Sequence, residues 1–368
     1  MTAAVAPPGT SDAPSGPRAR AGWLRGPAFD VAFTAGPFAL ALLFGAFASR
    51  SQAAFVAAVW IDVWLLAYPH VLSTFTRIAV DAASRRAHRF LLVGAPPIVL
   101  AVTASVAWLG GAVGLNSLYY YAQTYHYTMQ SYGLARAYRR SAGGPARDLA
   151  TDAVVFAFPI WGVLHRASSG QSSFYGAPLL VPPVPAWAAT IAGIAALGAL
   201  AAWIARRARS PERREIGGAM YVASHVLVTV LGYVVVRDVT LGWLLVNVWH
   251  NAQYLMFVWS RNVDRHGDAA DAPGFASLRR ADRALPYAAV CLAASTAFYL
   301  ALGRFGAALA WTALPALLVL HQSVNFHHYL VDAFIWRRRS PSPVGNLPTS
   351  NPRAASGHGA ARPRAIAK

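Results

Sequence analysis

Between residues 29 and 336 the chain is a succession of apolar runs, each about 20 residues long and nearly free of charge. A helix rising about 1.5 Å per residue needs that length to cross roughly 30 Å of hydrocarbon. The runs fall at 29–49, 54–76, 90–110, 113–137, 149–168, 184–205, 217–236, 240–260, 285–302 and 306–336. Lipid offers no hydrogen bonds, so a spanning segment must satisfy its backbone internally, and runs of this length specify helices. The expected fold is therefore all-α, a polytopic integral membrane helical bundle of about ten transmembrane helices. Pro315 lies inside the last run and is expected to kink or divide it.

Composition agrees, since 56% of the 368 residues are hydrophobic and only 12% charged, too few charges for a soluble domain of this length. The arginines also give the orientation. If both termini are cytoplasmic, 28 of the 32 basic residues fall on the inside, and only Arg50, Arg166, Arg237 and Arg304 lie outside. That asymmetry is what the positive-inside rule requires of an even number of spans, and the bacterial inner membrane is the expected location. Residues 1–28 and 338–368, rich in Ala, Pro, Gly and Ser, read as disordered tails flanking a membrane domain at 29–337. The first lacks the pattern of a cleaved signal peptide.

The formal charge of +18 does not imply nucleic acid as a partner, because the basic residues are dispersed between apolar runs rather than gathered on one face. The partners expected are the lipid bilayer and a lipophilic small molecule. Cys291 is the sole cysteine, which excludes an internal disulfide and any CxxC motif. Trp23, Trp187 and Trp243 sit near run ends, where tryptophan ordinarily anchors a helix at the membrane interface.

Polar groups at membrane depth are costly and normally face the bundle interior or a site. The second run carries Asp62 and then His70, Ser73 and Arg77, with Pro69 just before the histidine. In the fourth, Tyr119, Gln123, His126, Gln130 and Gly133 recur at helical spacing and form one face. Tyr120, Tyr121, Tyr125, Tyr127 and Tyr132 crowd the same histidine and suit either plain packing or the walls of a site for an extended apolar substrate. The eighth places Asn247, His250, Asn251 and Tyr254 together, and the tenth His321, Asn325, His328 and Asp332, with His327 about 100° away around the helix.

Runs two, four, eight and ten all point from outside to inside, so His70, His126, His250 and His328 are able to converge at one depth. Neutral imidazole is a common ligand for iron, zinc and copper. A lone intramembrane histidine is equally an interhelical hydrogen-bond partner. Four on parallel helices favour a shared metal, with His327, His225 and His321 as further ligands or outer supports. Asp332, one turn after His328, is placed to accept a ring N–H as an outer carboxylate.

Four blocks in order resemble the Brp/Blh family of membrane carotenoid oxygenases: YPH at Tyr68 to His70, YHYTMQ at Tyr125 to Gln130, WHNAQYLMFVW at Trp249 to Trp259 and HHYLVDAFIWR at His327 to Arg337. The resemblance implies a histidine-held Fe(2+) that uses dioxygen to cleave a carotenoid double bond, with His70, His126 and His250 at the positions of family ligands. Two departures accompany it. Tyr254 stands where the family has a histidine one turn after the third-block ligand, and Val71, Leu72 and Ser73 replace the Gly-x-x-Asp that follows the first. Either His328 or His225 then completes the site, or the chemistry differs.

The expectation is a membrane-embedded, histidine-ligated iron oxygenase acting on a lipophilic substrate. Tyr254, Gln130 and Asp332 are its candidate catalytic groups, and Gln123, Asn251, Asn325 and Tyr119 are candidates for orienting ligands or substrate. Two alternatives stay open: a proton-coupled transporter relaying protons through Asp62, His225 and Asp332, and a membrane protein without catalysis.

Overall fold

A computed structural model describes residues 22–79, 82–145, 147–209, 215–266, 277–278, 280–312 and 314–335. Most of each proposed tail, 1–21 and 336–368, lies outside the described residues, as do Trp336 and Arg337 of the fourth block. The helices are α1 (Pro27–Ala48), α2 (Gln52–Asp62), α3 (Tyr68–Ala79), α4 (Ala82–Ala87), α5 (Ala95–Ser141), α6 (Leu149–Ser168), α7 (Ala186–Arg209), α8 (Ile216–Val230), α9 (Val239–His266), α10 (Ala284–Ala308) and α11 (Ala316–Ile335). Single π-helical turns at Val63–Ala67, Phe90–Gly94 and Leu231–Val235 join or end them.

Local chemistry sets the helix ends. Pro27 opens α1, where its missing N–H is no loss. The buried Asp30 carboxylate accepts from the backbone N–H groups of Leu24, Arg25 and Gly26 at 3.0–3.1 Å, tying the incoming chain to the first turn. The Ser51 hydroxyl caps α2 by accepting from Ala54 N–H. Gly111 (φ 63°, ψ −165°) breaks α5 where the sequence separates two spans, and the left-handed φ suits glycine. Pro315 divides the last apolar run: α10 ends at Ala308 and α11 begins at Ala316.

Among the described residues six helices are long and apolar enough to cross a membrane: Pro27–Ala48, Gln52–Ile78, Phe90–Ser141, Ala186–Arg209, Ile216–Val235 and Ala284–Ala308. The expected ten divides further, because Phe90–Ser141 holds the third and fourth runs on either side of Gly111. The remaining helices, α6, α9 and α11, carry the Asp, His, Asn and Gln residues that lower their mean hydropathy. Exposed Leu43, Val93, Leu109, Trp187, Ile194 and Leu285 give the bundle an apolar exterior consistent with lipid contact.

α1 packs on α8 and α9, α6 on α7 and α8, and α5 on α11, while α3 contacts α9, α10 and α11. The largest cluster of buried apolar side chains runs through α1, α5, α8 and α9, and includes Phe33, Tyr138, Tyr221, Leu244 and Trp249. At one end a two-residue hairpin, Ser173–Phe174 against Ala177–Pro178, turns through left-handed Tyr175 (φ 53°) and Gly176 (φ 73°). Its Phe174 is fully buried against Tyr119, Tyr120 and Trp243. Trp243 is therefore core and not an interface anchor: it is 4% exposed and its indole N–H donates to Gln123 Oε1 at 3.1 Å. Trp187, by contrast, faces outward.

Backbones approach most closely where the π-helical turn after α8 meets the first turn of α9. A Cβ on Gly232 would stand 2.7 Å from the Gly242 carbonyl oxygen, and one on Gly242 would run into Gly232. The buried Arg166 guanidinium holds this junction by donating to the carbonyls of Gly232 (2.8 Å), Val236 and Arg237.

The ends of α5 and α7 and the starts of α6 and α8 meet in one ionic network. Arg139 bridges Asp148 and Glu215, both at 3.4 Å, while Arg206 reaches Asp148 at 2.7 Å and Arg207 reaches Glu215 at 3.4 Å. Burial pushes the Asp148 carboxyl up, but the Thr151 hydroxyl and the Arg139 and Arg206 guanidiniums outweigh it and hold it below the usual carboxylate range. A carboxyl depressed in the fold stabilises above its unfolded value of about 3.9 and loses that contribution as pH falls through the folded one. Asp148→Asn is thus expected to lower the melting temperature in detergent at pH 7, with the difference from the native protein shrinking as the pH falls below the unfolded carboxyl value. A pH-independent difference would show that the ion pairs are not its origin.

Candidate metal centre

α3, α5, α9 and α11 supply the four histidines, and local features turn each inward. Pro69 has no N–H, and its ring collides with the carbonyl four residues back in a regular helix. The π-helical turn Val63–Ala67 absorbs this just upstream, and His70 follows in a buried position. On α5, Tyr119, Gln123 and His126 share a buried face. α9 buries Asn247, His250, Asn251 and Tyr254, and α11 buries Asn325, His328 and Asp332.

One ring nitrogen from each of His70, His126 and His328 lies within 4.8 Å of the other two. The closest pair is His70 Nε2 and His328 Nε2, at 2.8 Å. His250 packs beside this group, its ring centre 4.7 Å from that of His70 and 5.0 Å from that of His126, without placing a nitrogen in the three-nitrogen set. Aromatic rings close the surroundings. Tyr254 stacks on His70 at 4.2 Å, Tyr329 on His126 at 4.3 Å, and Tyr127 lies 4.4 Å from His250.

Two polar networks flank the imidazoles. On one side Thr74 Oγ1 meets Tyr254 Oη at 2.7 Å, His328 Nδ1 at 2.9 Å and Asp332 Oδ1 at 3.2 Å, and Tyr254 donates to the same Asp332 oxygen. On the other, the fully buried Asp62 carboxylate accepts from the side-chain amides of Asn247 and Asn251. Asn247 Oδ1 in turn accepts from Gln123 at 2.8 Å and from Tyr127 at 2.7 Å. Asp62 has no cationic partner among the described residues.

The donor set fits a divalent transition-metal ion. Two imidazoles at right angles on one ion, with metal–nitrogen bonds of about 2.1 Å, stand about 3 Å apart, close to the 2.8 Å of the His70 and His328 pair. Among the described residues His70 Nδ1, His126 Nε2 and His250 Nδ1 are buried without a hydrogen-bond partner, as is His225 Nδ1 outside the cluster, so a ligand that takes a lone pair fits the orphaned atoms of the cluster but is not required by them. His70, His126 and His328 would hold such an ion, with His250 the nearest further imidazole.

Other expected residues lie elsewhere. His225 Nε2 bonds the Val155 carbonyl at 3.0 Å, and His327 Nε2 the Leu91 carbonyl at 2.7 Å. Both hold neighbouring helices together and stand apart from the three-nitrogen group. His321 packs on Tyr68 and Tyr299, and Asn325 bonds to it and to Gln322. Tyr119 packs on Phe174 and Trp243 at the hairpin end. The amide atoms of half-buried Gln130, one turn beyond His126, have no hydrogen-bond partner among the described residues. Of the tyrosines expected around His126, Tyr125 is 65% exposed and faces outward, whereas Tyr329, unremarked in the sequence, covers the ring. Thr74 also escaped notice, although it follows His70 at the same one-turn spacing that marks Asp332 after His328.

No protein-family model, no curated protein and no solved structure matches the chain.

The Asp62 network carries a test. Asp62→Asn sets an amide against two amide donors and leaves one buried donor without its acceptor, a loss of about 1–3 kcal/mol. A lower unfolding midpoint in detergent is expected. An unchanged midpoint would show that the carboxylate is not needed as an acceptor.

Proposed function

We propose that this chain is a histidine-ligated iron oxygenase that crosses its membrane about ten times, with both termini in the cytoplasm, and acts on a lipophilic substrate within the bilayer. The observation that carries this is the convergence of His70, His126 and His328 nitrogens within 4.8 Å in a buried interior, with His250 packed beside them. The charge distribution of the loops supports the orientation and a bacterial inner membrane location. The ordered motifs favour carotenoid cleavage as the form of the reaction.

A ferrous ion held here would supply dioxygen activation at coordination positions that the protein leaves open. The chain's own residues do the rest. Three imidazoles bind without adding charge, while Tyr127, Tyr254 and Tyr329 pack against the rings and keep water away. Asp332, Thr74 and Tyr254 brace the His328 side, and Asp62 with Asn247 and Asn251 braces the His250 side. The Asp62 and Asp332 carboxyls serve these networks as hydrogen-bond acceptors.

A proton relay through Asp62, His225 and Asp332 receives less support, because each is bonded to different partners and His225 is committed to the Val155 carbonyl. Anaerobic loading of the purified protein with Fe(II) is expected to give about one iron per chain, and His126→Ala and His328→Ala to weaken binding at least about tenfold. His225→Gln should retain the iron. Metal at background level in the native protein, or proton-coupled flux in liposomes without metal, would end the oxygenase proposal.

A further inference from the structure

We infer that Thr74 is a positioning residue that fixes the tautomer of His328, holding the ring proton on Nδ1 so that the Nε2 lone pair is the one offered to a metal. As a statement about the metal it rests on the proposed centre; as a statement about the proton it does not.

The argument is one of hydrogen-bond capacity. A threonine hydroxyl has one proton to give and two lone pairs with which to accept. Thr74 Oγ1 is fully buried within reach of three groups: Tyr254 Oη at 2.7 Å, His328 Nδ1 at 2.9 Å and Asp332 Oδ1 at 3.2 Å. Of these, Asp332 Oδ1 is the acceptor toward which the Thr74 hydroxyl donates, so the Thr74 proton goes to Asp332. Tyr254 spends its proton on the same Asp332 oxygen. His328 Nδ1 then faces only a threonine lone pair, and the stable arrangement is Nδ1–H donating to Thr74.

Two distances agree. His328 Nε2 lies 3.6 Å from Asp332 Oδ2, beyond hydrogen-bond range, so the carboxylate does not draw the proton to Nε2 directly. The same Nε2 points at His70 Nε2 at 2.8 Å, the spacing of two ligands on one ion. Asp332 therefore acts on the imidazole through a hydroxyl. The neighbouring Ser73 has no such role, since its hydroxyl donates to the His70 carbonyl at 2.7 Å.

Thr74→Val keeps the shape and removes the hydroxyl; Thr74→Ser restores it. The full chain in detergent, labelled with ¹⁵N-histidine and metal-free, reports the tautomer directly, with the His328 signals assigned by their loss in His328→Gln. The native protein and Thr74→Ser should show the proton on Nδ1, and Thr74→Val a shift toward Nε2. Titration with Co(II) should show binding weakened about 10–100-fold in Thr74→Val and recovered in Thr74→Ser. A native His328 protonated at Nε2, or a Thr74→Val protein that keeps the native tautomer, overturns the inference. If the native protein binds no Co(II), the metal reading fails, and the nitrogen spectra still decide the role of Thr74. If Thr74→Val does not fold, Thr74→Ala, which also removes the hydroxyl, takes its place in the nitrogen spectra.

Discussion

Inside a bilayer there is no water to satisfy a polar side chain, and this constraint organises the whole interior of the bundle. Each of α3, α5, α9 and α11 carries a stripe of His, Asn, Gln, Asp or Tyr that lipid cannot accept, and the stripes find partners in one another and in Asp62 of α2. The outward faces of the helices are apolar, so the direction of each stripe fixes the rotation of its helix. The imidazole cluster is where the stripes meet, and the two carboxylate networks are the shells that make their burial tolerable. Asp62 ties α2 to α9, and Thr74 with Asp332 ties α3 to α11.

That organisation was partly legible in the sequence. The helical stripes through His126, His250 and His328 appear at their expected spacing, and the break between the third and fourth runs falls at Gly111. What a period of 3.6 residues supplies is a face, not a neighbour. It could not say that His225 would spend its nitrogen on the Val155 carbonyl, or that His327 would bond Leu91. Trp243 has the position of an interface anchor in the linear order, yet the hairpin carrying Phe174 folds over that end of the bundle and encloses it.

The residues missed share a physical reason. Thr74 and Tyr329 are ordinary in composition, and each matters through one atom or one ring face set against a partner far away in sequence. The spacing of Thr74 after His70 held the signal, but a hydroxyl at membrane depth usually turns back on its own helix, as Ser73 and Thr103 do here. Likewise Pro69 announced a distortion without saying that a π-helical turn would take it up and carry His70 into the cluster.

The junction of Gly232 with Gly242 reaches further than its size suggests. α9 is a continuous helix from this contact to His250, eight residues on, about 12 Å along the axis at 1.5 Å per residue. Any widening at the glycine end must tilt or slide that rod, and the imidazole at its middle moves with it. The room available to a methyl group at one end of α9 is thereby coupled to the placing of the His250 ring beside the imidazole cluster, so the sequence freedom of one junction is limited by the packing tolerances of a distant one.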